Sequence, residues 1–260
     1  MRRISLVLCL FAGLFTRPAL AEDIWDGPPL KADPAAVIAA LADHPRPADA
    51  DVQLLLDDMS YTIDDERRVH YQHRRVYRCL THAGARDWAF VTTSWHHWYE
   101  ERPQVQARVI TARGKTFDLD QGSIAEVAGP SDDDQILSDR KYLRAPLPAM
   151  GPNCVVETVV RGQQTKPFFA AGQLESNYFF SFVPLDFKRL TVTAPRDVPL
   201  NFAVRGFDLK PEITEANGSR THQFEYRPGD EEQLILEADL PSDQAMLPHD
   251  DITTGASWAK

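Results

Sequence analysis

From Val52 onward the hydrophobic positions fall into short runs of strand length, separated by polar or glycine-bearing turns. Val52 to Ile63 and Val69 to Leu80 predict two strands joined by the polar turn Asp64-Asp65-Glu66, and Gly84 marks the next turn. Trp88 to Tyr99 mixes aromatic, β-branched and polar residues, while Val105 to Ile110 and Thr116 to Leu119 flank Arg113-Gly114, a hairpin signal. Further strands are predicted at Tyr142 to Leu147, Val155 to Val160, Tyr178 to Val183, Leu190 to Thr193, Phe202 to Val204 and His222 to Tyr226. Leu234 to Leu236 is a shorter one. Asn217-Gly218, between Ile213 and Phe224, suits a tight turn that needs positive φ.

Ahead of these strands, residues 22–50 form a leading segment punctuated by Pro28, Pro29, Pro34, Pro45 and Pro47. One short helix fits between Pro34 and Pro45, with Asp33 as N-cap, Pro34 at the first helical position, and Val37, Ile38 and Leu41 on one face. Many short strands with helix confined to one end predict an all-β fold: an antiparallel β-sandwich, an enlarged immunoglobulin-like class, carrying a short N-terminal helix. Residues 51–245 are read as one sandwich domain, because all-β domains run past 200 residues as single units. Residues 246–260 are read as a C-terminal tail, with Met246, Leu247, Ile252 and Trp258 exposed to a partner rather than packed.

The chain's opening changes where this fold is expected to work. Arg2 and Arg3 precede an apolar run from Ile4 to Phe15, and Ala19-Leu20-Ala21 supplies the small residues that signal peptidase needs. Residues 1–21 are therefore read as a cleaved signal peptide, too short in its apolar run to span a bilayer, and the product as periplasmic or secreted. Cleavage removes Arg2, Arg3 and Arg17, leaving 25 basic against 38 acidic residues, a net charge of −13. Such a chain repels phosphate, which disfavours nucleic acid and anionic membranes as partners. Two cysteines remain, Cys79 and Cys154, enough for one disulfide or none in an oxidising compartment.

The candidate chemistry is sparse. Cys154 follows Gly151-Pro152-Asn153 and leads into Val155-Val156, a turn entering a strand rather than the cationic setting a nucleophilic thiol needs. His96-His97 stand among Trp95, Trp98 and Tyr99, with Glu100-Glu101 after them. Adjacent strand residues point to opposite faces, so the pair is not expected to share a metal. The aromatic residues Trp88, Trp95, Trp98 and Tyr99 offer a binding surface, and a stand-alone carbohydrate-binding module is the alternative reading they support. Asp132-Asp133-Asp134 lacks the spacing of a calcium loop, and Asn217-Gly218-Ser219 is explained by its turn. No cofactor is expected.

Several stretches resemble one family: Arg74-Arg75-Val76-Tyr77, Gly84, Asp87-Trp88, Ala107-Arg108-Val109-Ile110, Gly114, Asp139-Arg140, Leu147-Pro148 and Val155-Val156-Glu157. They resemble the N-terminal β-sandwich domain, of unknown function, that precedes the catalytic core of bacterial secreted transglutaminase-like proteins. Thr253-Thr254-Gly255-Ala256-Ser257-Trp258-Ala259 is similar to the opening of that core. The resemblance implies that the Cys-His-Asp triad belongs to the core and not to this chain, so neither hydrolase nor transferase activity is expected of it. It also implies a transglutaminase-like catalytic domain, or another envelope protein, as partner.

Overall fold

A computed structural model of the protein describes residues 24–129, 139–169, 174–228 and 247–255. The signal segment, Asp132–Asp134, Leu234–Leu236, Met246 and Trp258 lie outside the described residues. The leading segment holds helix α1 (Pro34–Ala40), and Asp33 caps it as predicted, its carboxylate accepting the Ala35 and Ala36 amides at 3.0 Å. Strands β1 (Val52–Ile63) and β2 (Val69–Cys79) follow, then a short helix α2 (His82–Asp87), β3 (Phe90–His96), β4 (Gln104–Ile110) and β5 (Thr116–Asp118). Next come β6 (Ala125–Val127), β7 (Arg140–Pro146), β8 (Val155–Gln163), β9 (Leu174–Tyr178) and β10 (Lys188–Pro195). The last are β11 (Asn201–Arg205), β12 (Glu212–Ala216), β13 (Ser219–Tyr226) and β14 (His249–Thr253).

The sandwich is all-β, but its second layer is divided. One eight-stranded sheet runs β12-β13-β10-β1-β2-β8-β4-β5, and two three-stranded sheets, β3-β7-β6 and β11-β14-β9, cover it. Among the described residues all strand pairs are antiparallel except β1 with β10. A bulge between Leu54 and Leu56 keeps Val52, Leu54, Asp57, Met59 and Tyr61 on one face of β1, opposite Cys79, Tyr77, Arg75, His73 and Tyr71. Over one half of that face, Val52, Leu54, Tyr77, Val109 and Val156 pack against Trp95, Leu143 and Ala145 of the β3-β7-β6 lid. Over the other half, Leu190, Val192 and Phe224 pack against Phe179, Phe202 and Ile252 of the β11-β14-β9 lid. Each fully buried large apolar side chain stabilises this packing by about 1.5–3 kcal/mol.

The opposite face of the long sheet is closed by the leading segment. Leu55, Leu56, Val76, Ile110 and Val155 bury Trp25 and Val37 there. At its centre Glu157, 2% exposed, accepts Arg74 Nε at 2.8 Å, Arg108 Nε at 2.9 Å and the Leu30 amide at 2.8 Å. The two guanidiniums reach on to the segment's carbonyls, Arg74 to Trp25 and Gly27, Arg108 to Ala32.

Four sequence expectations change. Gly84 sits inside α2 rather than in a turn; Thr81 caps the helix, and a Cβ on Gly84 would lie 2.2 Å from the Asp51 carbonyl oxygen, so the glycine permits close approach to β1. The strand expected over Tyr178–Val183 runs earlier, over Leu174–Tyr178, because Asn177 and Phe179 are the buried positions while Phe182 is 84% exposed. The covering layer is two sheets instead of one. The tail expected to stay unpacked supplies β14, the central strand of its lid, with Leu247 and Ile252 buried. Its sequence, His249-Asp250-Asp251, lacks the apolar alternation that marks a strand.

Candidate functional site

Where the two lids part, the floor of the long sheet turns polar. Asp57 receives Lys188 Nζ at 2.9 Å and His73 Nε2 at 2.5 Å. Burial works to raise the Asp57 carboxyl, but the His73 hydrogen bond and the Lys188 and Arg75 charges outweigh it and hold the group far below the usual carboxylate range. Burial also lowers His73, against the pull of Asp57. This cluster is internally satisfied.

One register step along, the floor opens into a cavity of about 210 Å³. Met59 and Tyr61 of β1 and Val69 and Tyr71 of β2 form its base, with Gln163 and Gln164 at the end of β8. Ser94 and Glu100 line it from the side of the first lid, and Glu175 of β9 from the second. The turn that presents Glu100 is closed twice: Glu100 donates its amide to the His96 carbonyl at 2.8 Å, and its Oε2 accepts the His96 amide at 2.6 Å. Among the described residues Glu175 has no such support. Burial, then the Glu100 charge, push its carboxyl up to about 7. Burial raises Tyr61 and Tyr71 as well, and burial with the Glu100 and Glu175 charges pushes Tyr99 up to about 12.

The raised Glu175 pKa makes stability depend on pH with a definite sign. Between an unfolded value of 4.5 and about 7 the unfolded chain gives up this proton first, so stability falls as pH rises through that window. The full penalty, about 3 kcal/mol, is reached above pH 7. Glu175→Gln is therefore expected to be more stable than the parent at pH 8 by that amount, with the gap closing at pH 5. Urea denaturation of both proteins at the two pH values checks this, and a gap equal at both would count against it.

Tyr99, next to the cavity-lining Glu100 in the chain, belongs to an exposed aromatic group. Trp98 (46% exposed), Phe168 (38%) and Phe169 (55%) form a continuous group with Tyr99, at centroid distances of 4.6 Å for Trp98–Tyr99, 4.8 Å for Tyr99–Phe168 and 4.1 Å for Phe168–Phe169. His96 stacks on Tyr99 at 5.3 Å, and Lys166 Nζ stands 5.1 Å from the Trp98 ring. Of the aromatic surface expected from sequence, Trp98 and Tyr99 are here. Trp95 is not: it points inward from β3, 5% exposed, into the core between lid and sheet. Trp88 packs half-buried against Tyr77 at 4.9 Å. The exposed rings meet at 42° to 69°, edge-on or tilted, and so do not form the coplanar row on which sugars stack.

The other candidates are dispersed. Cys79 and Cys154 are buried against one another between β2 and β8, away from the cavity. His96 and His97 both turn to Asp139, the first to its carboxylate at 3.1 Å and the second to its carbonyl at 3.2 Å. Among the described residues no group of three or more His, Cys, Asp or Glu side chains is placed to hold a metal ion, and no helix is long and apolar enough to cross a membrane. Asn217 and Gly218 adopt φ of 51° and 80° in the β12–β13 hairpin. Nothing in the spacing of Tyr61, Tyr71 and Glu175 along the sequence announces that two lids will enclose them.

No curated protein matches the chain. Among solved structures, a candidate protease of Parabacteroides distasonis superposes with a TM-score of 0.69 at 12% identity, over 80% of this chain and 41% of that one. A candidate nutrient-binding protein of Legionella pneumophila (TM-score 0.37, 9% identity, 68% and 63% covered) and an M1 zinc metallopeptidase of Deinococcus radiodurans (0.35, 13%, 68% and 39%) are more distant. At 12% identity the first likeness is one of fold, and the chain spans about two fifths of that protein's length. The family described as a domain of unknown function with a solved structure, DUF3857, matches residues 65–230, more than half of the sequence, and the chain belongs to it.

Proposed function

We propose that this chain is a non-catalytic accessory domain of an exported transglutaminase-like system, periplasmic or secreted, that docks a catalytic partner through its exposed aromatic group. The observation that carries this reading is the exposed group Trp98, Tyr99, Phe168 and Phe169. Exposed aromatic clusters are where interfaces concentrate their binding energy. Two further observations support it. The residues that carry the resemblance to the domain preceding transglutaminase-like cores have structural employment: Arg74, Arg108 and Glu157 hold the leading segment, and Gly84 admits α2. The thiol that a hydrolase reading would recruit, Cys154, is 1% exposed and faces Cys79.

The test uses the purified chain and a transglutaminase-like core from the same bacterium. Titration of one with the other is expected to show saturable binding, weakened about tenfold or more by Trp98→Ala or Phe168→Ala. The chain alone is expected to incorporate no amine and cleave no peptide. Turnover by the chain alone that disappears in Cys154→Ala would overturn the reading.

A further inference from the structure

We propose that the cavity between the two lids binds a primary ammonium group on a flexible aliphatic arm, the chemistry of a lysine side chain presented by a partner polypeptide. This deepens the binding role proposed above and rests on that reading, but it concerns the cavity and not the exposed aromatic group. The first observation is the pairing of Glu100 and Glu175. They enter one cavity from opposite lids, and among the described residues neither forms an ion pair with a basic side chain. The neighbouring Asp57 shows what a carboxylate of this floor looks like when satisfied, with Lys188 Nζ at 2.9 Å and His73 at 2.5 Å. The Glu100–Glu175 pair has the acceptors of such a site without its cation. Two carboxylates that repel each other in a partly desolvated space gain most from a ligand that brings a positive charge between them.

A second observation is independent of the carboxylates. Asn177, on the same face of β9 as Glu175 and one strand repeat away, is 7% exposed and accepts the Tyr61 hydroxyl at 3.3 Å. Its own Nδ2 is buried without a partner. That donor lies behind the cavity-lining Tyr61 and opposite Asp250 of β14, whose carboxylate oxygens are likewise buried without a hydrogen-bond partner among the described residues.

Shape and surroundings select the kind of cation. A cavity of about 210 Å³ accommodates an extended aliphatic arm, and its base of Met59, Tyr61 and Tyr71 offers methylene contacts and ring faces for an ammonium. Lys166, 5.1 Å from the Trp98 ring, already makes an ammonium-to-aromatic contact elsewhere in the chain. A divalent metal fits poorly, since it takes six or more oxygen ligands and only two carboxylates converge. The acidic balance of the whole chain, 38 acidic against 28 basic residues, draws basic ligands toward it.

The experiment titrates the purified full chain, followed by NMR chemical shifts, with Nα-acetyl-lysine N-methylamide, its norleucine counterpart, the arginine counterpart and calcium chloride. The lysine compound is expected to bind saturably and the uncharged norleucine compound at least tenfold more weakly. Glu175→Gln and Glu100→Gln are each expected to weaken lysine binding about tenfold. Glutamine at 100 can still accept the His96 amide, so the turn is kept. Equal binding of the lysine and norleucine compounds, preference for the arginine compound, no change in either variant, or displacement of the lysine compound by calcium would each overturn the proposal. If a catalytic core binds through Trp98 while the lysine compound does not bind, this inference fails and the docking reading stands. If the lysine compound binds and the core does not, the inference stands and the docking reading fails.

Discussion

Replacing Glu157 with alanine is expected to destabilise the protein by about 3–5 kcal/mol, a large share of the 5–15 kcal/mol that holds a typical domain folded. The carboxylate is 2% exposed and serves three donors at once: Arg74 Nε at 2.8 Å, Arg108 Nε at 2.9 Å and the Leu30 amide at 2.8 Å. Without it, two guanidiniums remain buried with no counter-charge, and their desolvation is no longer offset. The loss has a second expression in local structure. Arg74 and Arg108 carry the Trp25, Gly27 and Ala32 carbonyls, so the leading segment should loosen from the sheet along with its apolar contacts to Leu55, Leu56 and Val76. Urea denaturation measures the first effect, and hydrogen exchange at the Leu30 amide the second. Glu157→Gln, which retains one acceptor oxygen and the volume, is expected to fall between parent and alanine variant. A stability change below about 1 kcal/mol in Glu157→Ala would mean that water, not Glu157, satisfies the two arginines.

That network also shows how far the sequence could be read. Arg74, Arg108 and Glu157 belong to the motifs that carry the family resemblance, yet their partnership exists only through register. β2, β8 and β4 lie side by side, with Val76 and Arg108 both opposite Glu157. Local signals were dependable where the physics is local. The strand-length runs from Val52 to Ile63 and from Val69 to Leu80 mark β1 and β2, Asp33 with Pro34 marks the start of α1, and Asn217-Gly218 marks a turn whose residues take positive φ. The cleft is a different kind of object. Glu100 comes from a turn after β3 and Glu175 from β9, and they meet because two lids cover one sheet and leave a gap. The aromatic run misled for a related reason: Trp95 is the last inward position of β3, while Trp98 lies past the strand's end, where the turn releases it to solvent.

The protein recovered from an oxidising compartment is expected to carry a Cys79–Cys154 disulfide. The two residues face each other across the β2–β8 pair, the Arg78–Val155 register continuing through them. The Cys79 amide donates to the Cys154 carbonyl at 3.0 Å, and the Asn153 amide to the Cys79 carbonyl at 2.7 Å. Directly opposed antiparallel residues have Cα atoms about 4.5–5.5 Å apart, inside the range a disulfide spans. The two thiols lie against each other in the core, and the hydrogen bond between them brings Cys154 down to about 7 and pushes Cys79 up. The bond forms by exchange with the disulfide of an oxidase, which takes the two electrons and leaves as a dithiol. With side chains 0% and 1% exposed, that exchange belongs to folding, before β8 closes on β2. The bond would close a long loop and add about 4 kcal/mol on the chain-entropy account. Intact mass without reductant should be about 2 Da lower than after reduction, and a non-reducing peptide map should join the two cysteines. Reduction should lower the urea midpoint, while a Cys79→Ser, Cys154→Ser protein should show no response to reductant. Full alkylation of both thiols in denaturant without reductant would exclude the bond and leave the pair as packed core.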